Sequence, residues 1–141
     1  MTLYQITKEL ERIARTQPNI RYAGDGDLYR DLNACPSRNY AAFYLTNNRH
    51  YSDETQEVDR YSFNAFYVDR LVNVEGNNAL EIQSIGKESL MNIIRTFNEL
   101  YDGEIYGTIE WQVFTQRFSD ECAGIYAIVT LQVPMDALCI D

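Results

Sequence analysis

The sequence predicts an α+β domain in which an antiparallel four-stranded sheet, made of two hairpins, carries two main helices packed on it in the order α-β-β-α-β-β. Two segments place apolar residues at helical steps of three and four, one near the N-terminus and one after residue 78. Four segments rich in β-forming residues lie in two pairs, within residues 39–72 and 109–133. A length of 141 residues fits one domain, spanning residues 1–141.

The first helix has a clear start and a clear end. Thr2 followed by Gln5 is a capping-box pattern, in which the side chain of each residue accepts a hydrogen bond from the backbone N–H of the other. Apolar residues then recur at helical spacing, at Leu3, Ile6, Leu10, Ile13 and Ala14. Pro18 marks the end, because proline cannot continue a helix.

The first hairpin consists of YAAFYLTNN (residues 40–48) and YSFNAFYVDRLV (residues 61–72) around a polar loop. Both strands are apolar on both faces at their centres, for example Phe43 against Tyr44 and Phe66 against Tyr67. A strand of this kind is covered on two sides, by helices or by another subunit. The loop from Asn48 to Asp59 is longer than most hairpin connections, and we expect it to be an arm or rim contact that can be deleted without unfolding the domain.

The second helix follows a turn at residues 75–78 and runs to Tyr101, with Gly103 expected as the left-handed residue that ends it. Gly86 lies inside this helix, where it either weakens the first turns or allows close packing. Two strands complete the chain, one around Trp111 and one over residues 123–133. Ile109, Trp111 and Val113 alternate on one face of this strand, whereas Phe114 and Phe118 fall on the other, which predicts a bulge near Val113 and Phe114.

The composition argues against a surface that binds nucleic acid. The net charge is −9, only two lysines are present, Lys8 and Lys87, and the arginines never form a basic run. An acidic protein can still surround DNA without gripping it. The eleven tyrosines suit either half-buried strands or subunit contacts, because tyrosine combines a large apolar ring with a polar tip.

No signal for export or for a membrane segment stands out in the sequence. The chain opens without a basic and then apolar leader, and no apolar run approaches the about 20 residues that a membrane helix needs. Cys35, Cys122 and Cys139 are odd in number and lack metal-type spacing, so we expect reduced thiols and no metal or cofactor.

Candidate catalytic residues are few. His50, the only histidine, could be a general base or a metal ligand, but its polar surroundings favour a solvated residue. Glycine-rich phosphate loops and serine-nucleophile motifs are absent, and no pair of acids is singled out for hydrolysis. We therefore expect that the protein is not an enzyme.

Asp69 and Arg70 stand together at the end of an apolar strand and are the most conspicuous charged pair. Because adjacent strand residues point to opposite faces, the two side chains cannot easily pair with each other. They are either strand-end charges that reach solvent or a helix cap, or anchors of a subunit or ligand contact, since arginine suits bidentate capture of a carboxylate.

The run AFYVDRLVNVEGNNALEIQSIGKESLMNIIRTFNEL (residues 65–100) resembles small structural proteins of phages that infect Bacteroides-type hosts, including crAss-like phages. The closing stretch FSDECAGIYAIVTLQVP (residues 118–134) resembles the ending of those proteins. The group is of the tail-terminator and head–tail connector type. The resemblance implies a small antiparallel sheet backed by two helices, no catalytic residues, and assembly into rings around the DNA exit channel.

This resemblance implies a virion structural protein, assembled in the host cytoplasm, that forms a homo-oligomeric ring at the neck or tail end. Its expected partners are copies of itself and other neck or tail proteins, with DNA passing nearby without specific binding and no membrane involved. The alternative is a soluble small-ligand or protein-binding module without catalysis, with a pocket near Tyr44, Tyr67 and Trp111. The interface residues expected are Arg49, His50, Tyr51, Asp53, Glu54, Glu57, Asp69 and Arg70.

Overall fold

The computed structural model describes residues 1–25, 41–71, 78–115 and 122–135. Within these ranges the order of elements is α-β-β-β-α-β-β-β. The helices are α1 (Leu3–Arg15) and α2 (Ala79–Tyr101), and the strands are β1 (Tyr22–Asp25), β2 (Ala42–Asp53), β3 (Val58–Arg70), β4 (Glu104–Ile105), β5 (Glu110–Thr115) and β6 (Cys122–Pro134).

The six strands form one mixed sheet in the order β1-β2-β3-β6. Strands β4 and β5 follow one another along the far edge of β6, each paired with a different part of it. Strand β1 is parallel to β2, and every other pair is antiparallel. The prediction of an antiparallel four-stranded sheet was therefore wrong. The four predicted strands are present, but β1 and β4 have only four and two residues, too few to show an alternating pattern.

Helix α1 begins with the predicted capping box. The backbone N–H of Gln5 donates to Thr2 Oγ1 at 3.1 Å, and the N–H of Thr2 donates to Gln5 Oε1 at 2.8 Å. The apolar residues Ile6, Leu10 and Ile13 are buried against the sheet and α2, so the predicted face of the helix is confirmed.

Helix α2 crosses the same face of the sheet and packs most closely at Gly86. A Cβ atom at this position would lie 2.7 Å from both Tyr67 and Ile125, so glycine allows the close approach. The helix ends at Tyr101, and the left-handed residue that terminates it is Asp102 (φ 53°), not Gly103 as expected. Gly103 instead donates its backbone N–H to the Asn98 carbonyl at 3.0 Å.

The first hairpin differs from the expectation at its tip. The segment read as a twelve-residue loop is mostly strand, because β2 continues to Asp53, β3 starts at Val58, and only residues 54–57 form a turn. The irregularity expected near Val113 is also absent from the described part of β5, whereas β2 has a bulge between Asn47 and Arg49.

The sheet has two different faces. The helix face contains the main core, in which α1 and α2 cover residues such as Phe43, Phe63 and Leu131. The opposite face contains a smaller aromatic cluster, in which the Phe66 ring lies 4.8 Å from Tyr126 and 6.4 Å from Phe114. Burial on both faces agrees with the two-sided pattern of β2 and β3 in the sequence.

Candidate docking surface at the sheet edge

A groove of about 480 Å³ lies where α1 crosses the edge of the sheet, just beyond the end of β1. We call it the edge groove. Its floor is apolar, its exposed wall carries Tyr4, and its rim carries a cation and an anion from α1 and β1. The lining residues are Leu3, Tyr4, Thr7, Lys8, Asp25, Leu45, Thr46, Asn47 and Phe63.

The charged rim of the edge groove belongs to a network centred on Glu11. Lys8 Nζ lies 3.2 Å from Asp25 Oδ2 and 3.4 Å from Glu11 Oε2, and Arg15 Nη2 lies 3.7 Å from the same Glu11 oxygen. Glu11 is only 2% exposed, and its carboxyl group is buried. The network ties α1 to the short strand β1.

The two carboxyl groups of this network titrate in opposite directions. Burial, followed by hydrogen bonding and repulsion from Asp25, raises the pKa of Glu11 to about 7. The hydrogen bond from Glu11 and the contact with Lys8 lower the pKa of Asp25. The pair therefore holds one proton, on Glu11, at a pH where an exposed glutamic acid would have lost its own.

Beyond the groove, the outer edge of β2 is accessible. Strand β1 pairs only with Ala42–Leu45, and no other strand in the described ranges pairs with residues 46–53 on that side. Residues 47–50 are exposed. His50 stacks on Tyr61 with ring centroids 5.6 Å apart, and the Arg49 guanidinium lies 5.2 Å from the Tyr51 ring centroid. The unpaired backbone N–H and C=O groups of such an edge strand can pair with a strand of another chain.

The hairpin tip is anchored by Arg60, which is 6% exposed. Its guanidinium donates to Gln132 Oε1 at 2.9 Å, to Gln56 Oε1 at 2.8 Å and to Asp53 Oδ2 at 3.3 Å, and it lies 4.0 Å from the Tyr106 ring centroid. These contacts join β2, the turn, β3, β6 and the segment after β4. The tip is therefore connected to the rest of the sheet through this one side chain.

Asp69 and Arg70 lie at the other end of β3. Asp69 Oδ1 accepts the backbone N–H groups of Ala41 at 3.1 Å and of Arg70 at 2.8 Å, so this carboxylate holds the chain at the start of β2. Arg70 is opposite Cys122 in the strand register and is half-buried. Asp69 also lines a second cleft of about 230 Å³ with Arg21 and Tyr67.

The residues expected at an interface therefore fall into two groups at opposite ends of one strand. Arg49, His50, Tyr51 and Asp53 belong to β2, and Glu54 and Glu57 are exposed in the turn. Asp69 follows Val58 by eleven positions along β3, which corresponds to about 36 Å. The structure does not bring the two groups together, and the expected pocket residues Tyr44, Tyr67 and Trp111 do not line the edge groove.

Sequence reasoning missed the Glu11 network and the Arg60 anchor. Glu11 is adjacent to Leu10 on the buried stripe of α1, so an acidic residue at the margin of an apolar face was the available signal. The Arg60 contacts join residues up to 72 positions apart in the chain, and no local pattern indicates them.

The described residues contain no group of three or more His, Cys, Asp or Glu side chains that could hold a metal ion. Cys122 is a buried free thiol, and Cys35 and Cys139 lie outside the described residues. No helix in the described ranges is long and apolar enough to cross a membrane.

No protein-family model matches this chain. No curated protein matches it either.

Proposed function

We propose that the protein is a ring-forming structural subunit of a phage head–tail connector or tail end, which acts through protein–protein assembly around the DNA channel. The observation that carries the proposal is the pair of accessible sheet edges. In the described part of the chain, the outer side of β2 beyond Leu45 and the outer side of β5 have no paired strand. A subunit with two different open edges can join copies of itself head to tail.

The charge of the chain supports the same role. A net charge of −9 gives long-range repulsion from DNA, which suits a ring that lets DNA pass without binding it. The resemblance of residues 65–100 and 118–134 to connector-type phage proteins points in the same direction. Assembly of this kind requires no catalytic residue and no cofactor.

Mass spectrometry of purified virions tests this proposal directly. We expect peptides of this chain in particles purified through two density gradients, at several copies per particle relative to the portal protein. Material from the same lysate that is not assembled into particles serves as the control. Absence of the chain from particles that are complete and infectious would contradict the proposal.

A small-ligand-binding module is the second candidate, because the edge groove has a suitable size. Its volume of about 480 Å³ falls within the range of ligand pockets. Its apolar floor beside the charged groups of Lys8 and Asp25 suits a ligand that has one apolar end and one polar end. Native mass spectrometry of the purified protein checks this function. A bound mass that disappears on denaturation, and that is lost when Leu45 is replaced by a larger residue (Leu45→Trp), would favour it over assembly.

A further inference from the structure

The free edge of β2 has the features of a strand-accepting site. Beyond Leu45 its outer side is unpaired in the described part of the chain, and residues 47–50 are exposed. The edge groove lies next to this part of β2, and Asp25, the last residue of β1, is one of its lining residues. An added strand would make backbone hydrogen bonds to β2 and place alternate side chains in the groove.

The opposite edge of the sheet offers a matching strand. Strand β5 pairs with β6 on one side only within the described ranges, and Val113 on it is 60% exposed. In register with β6, Val113 lies opposite Ile125 and so points to the helix face, whereas Glu110 and Gln112 point to the other face. An exposed valine on an edge strand is a typical contact residue.

The strand directions of the two edges are compatible. Strands β2 and β3, β3 and β6, and β6 and β5 are antiparallel pairs, so β5 runs opposite to β2. A second copy with its helices on the same side therefore presents β5 antiparallel to β2, and the sheet continues across the contact. In this arrangement the helix-face side chain of Val113 lies on the same side of the joined sheet as the edge groove.

The charges of the two edges are complementary. The β2 edge carries Arg49 on the face opposite the helices, because Arg49 is in register with Ser62. The β5 edge carries the exposed Glu110 on the same face. In a chain with a net charge of −9, an exposed arginine on one edge and a glutamate on the other favour this contact over random association.

From these observations we propose that the β5 edge of one copy pairs antiparallel with the free part of the β2 edge of the next copy, with Val113 on the side of the joined sheet that carries the edge groove and Glu110 on the face that carries Arg49. This proposal rests on the self-assembly proposed above and specifies its interface. Every copy uses both edges once, so repetition of the contact closes a ring or continues as a filament.

Sedimentation velocity of edge variants tests the interface. We expect Arg49→Glu and Glu110→Arg each to weaken self-association at least about 10-fold, because like charges then face each other, and the double variant to recover most of it. Val113→Asp should abolish association. Asn92→Asp is the matched control, because Asn92 is exposed on α2, outside both edge strands and outside the lining of the edge groove, and this variant should associate like the wild type.

The outcomes separate this interface from the ring proposal. Self-association that survives all edge variants, or a wild-type protein that stays monomeric at millimolar concentration, overturns the β2–β5 contact. Detection of the chain in virions would leave the ring proposal standing in either case. Circular dichroism melts of Val113→Asp confirm that loss of association is not loss of folding.

Discussion

Glu11 is a carboxylic acid that is almost completely buried. Its carboxyl group is buried beneath Lys8 and next to the Asp25 carboxylate, so removing its proton would place two negative charges side by side at low solvent exposure. The neighbouring cations offset part of this cost. The arrangement makes the contact between α1 and β1 dependent on pH.

We expect stability to fall as pH rises through neutrality. The folded pKa of Glu11, about 7, lies above the ordinary value of 4.5, so its stabilising effect is complete below pH 4.5 and lost as pH rises through 7. Between pH 5 and pH 8 the free energy of unfolding should fall by about 2 kcal/mol. The pKa of Asp25 is lowered, so this carboxylate stabilises the fold at neutral pH and its contribution is lost as the pH falls and it becomes protonated.

Urea unfolding of the wild type and of Glu11→Gln at pH 5 and pH 8 measures this effect. The glutamine keeps the shape and the hydrogen-bond donor but cannot ionise, so the variant should lose much less stability over this interval. An identical pH dependence of the two proteins would show that Glu11 does not hold the proton.

Gly86 and Gly124 are the positions where a single added methyl group should be most costly. A Cβ at Gly124 would lie 2.2 Å from the Tyr67 carbonyl oxygen, which is backbone, whereas a Cβ at Gly86 meets side chains at 2.7 Å. We expect Gly86→Ala to cost about 1–3 kcal/mol and Gly124→Ala to cost more. Asn92→Ala, at an exposed position of α2, is the control for helix propensity and should be neutral or slightly stabilising. Thermal and urea unfolding of the three variants decide the order.

At the scale of elements, the β2–β3 hairpin is continuous with the sheet. The turn at residues 54–57 is held by a bond from the Met135 N–H to the Glu57 carbonyl at 2.9 Å, and by the Arg60 contacts to Asp53 and Gln56. Deletion of residues 48–59 would remove half of β2 and the start of β3. The segment is therefore not the loop that was expected, and we now expect its deletion to destabilise the domain.

Replacing Arg60 with alanine tests how firmly the hairpin tip is held. The variant loses three charge-assisted hydrogen bonds and the stacking on Tyr106, and we expect a loss of about 2–3 kcal/mol in the free energy of unfolding. Amide hydrogen exchange should rise in residues 49–60 more than elsewhere. Arg95→Ala, an exposed position on α2, should leave both measurements unchanged. Equal effects of the two substitutions would contradict the anchoring role of Arg60.

At the scale of the whole molecule, acidic charge outweighs basic charge, with 21 Asp and Glu residues against 12 Lys and Arg residues. Arg49 is the one Lys or Arg residue of β2. The proposed self-assembly must therefore rely on specific contacts, because net charge makes copies repel each other.

The same charge predicts very weak DNA binding. Non-specific DNA-binding proteins have dissociation constants of roughly 10⁻⁴–10⁻⁶ M at physiological salt, and their affinity depends on clustered cations. We expect fluorescence anisotropy with labelled duplex DNA at 150 mM salt to show no binding up to about 100 μM protein. A basic peptide on the same duplex is the positive control. Binding in the micromolar range would argue against a channel lining that lets DNA slide.

Local sequence patterns are sufficient to predict the two helices, the capping box at Thr2, the four longer strands and the two-sided burial of β2 and β3. These features depend on the residues within each element. The mixed six-stranded sheet could be seen only in the folded chain, because β1 and β4 are too short to carry a pattern and become strands only through pairing with β2 and β6.

The candidate site divides in the same way. The sequence singled out residues 49–57 and the Asp69–Arg70 pair as charged positions, but their separation along β3 and the contacts of Asp69 required the folded chain. The edge groove, the Glu11 network and the Arg60 anchor join residues that are far apart in sequence. Side chains of this kind acquire their environment only when the sheet and α1 pack together, because burial and charge proximity are properties of the fold and not of a local segment.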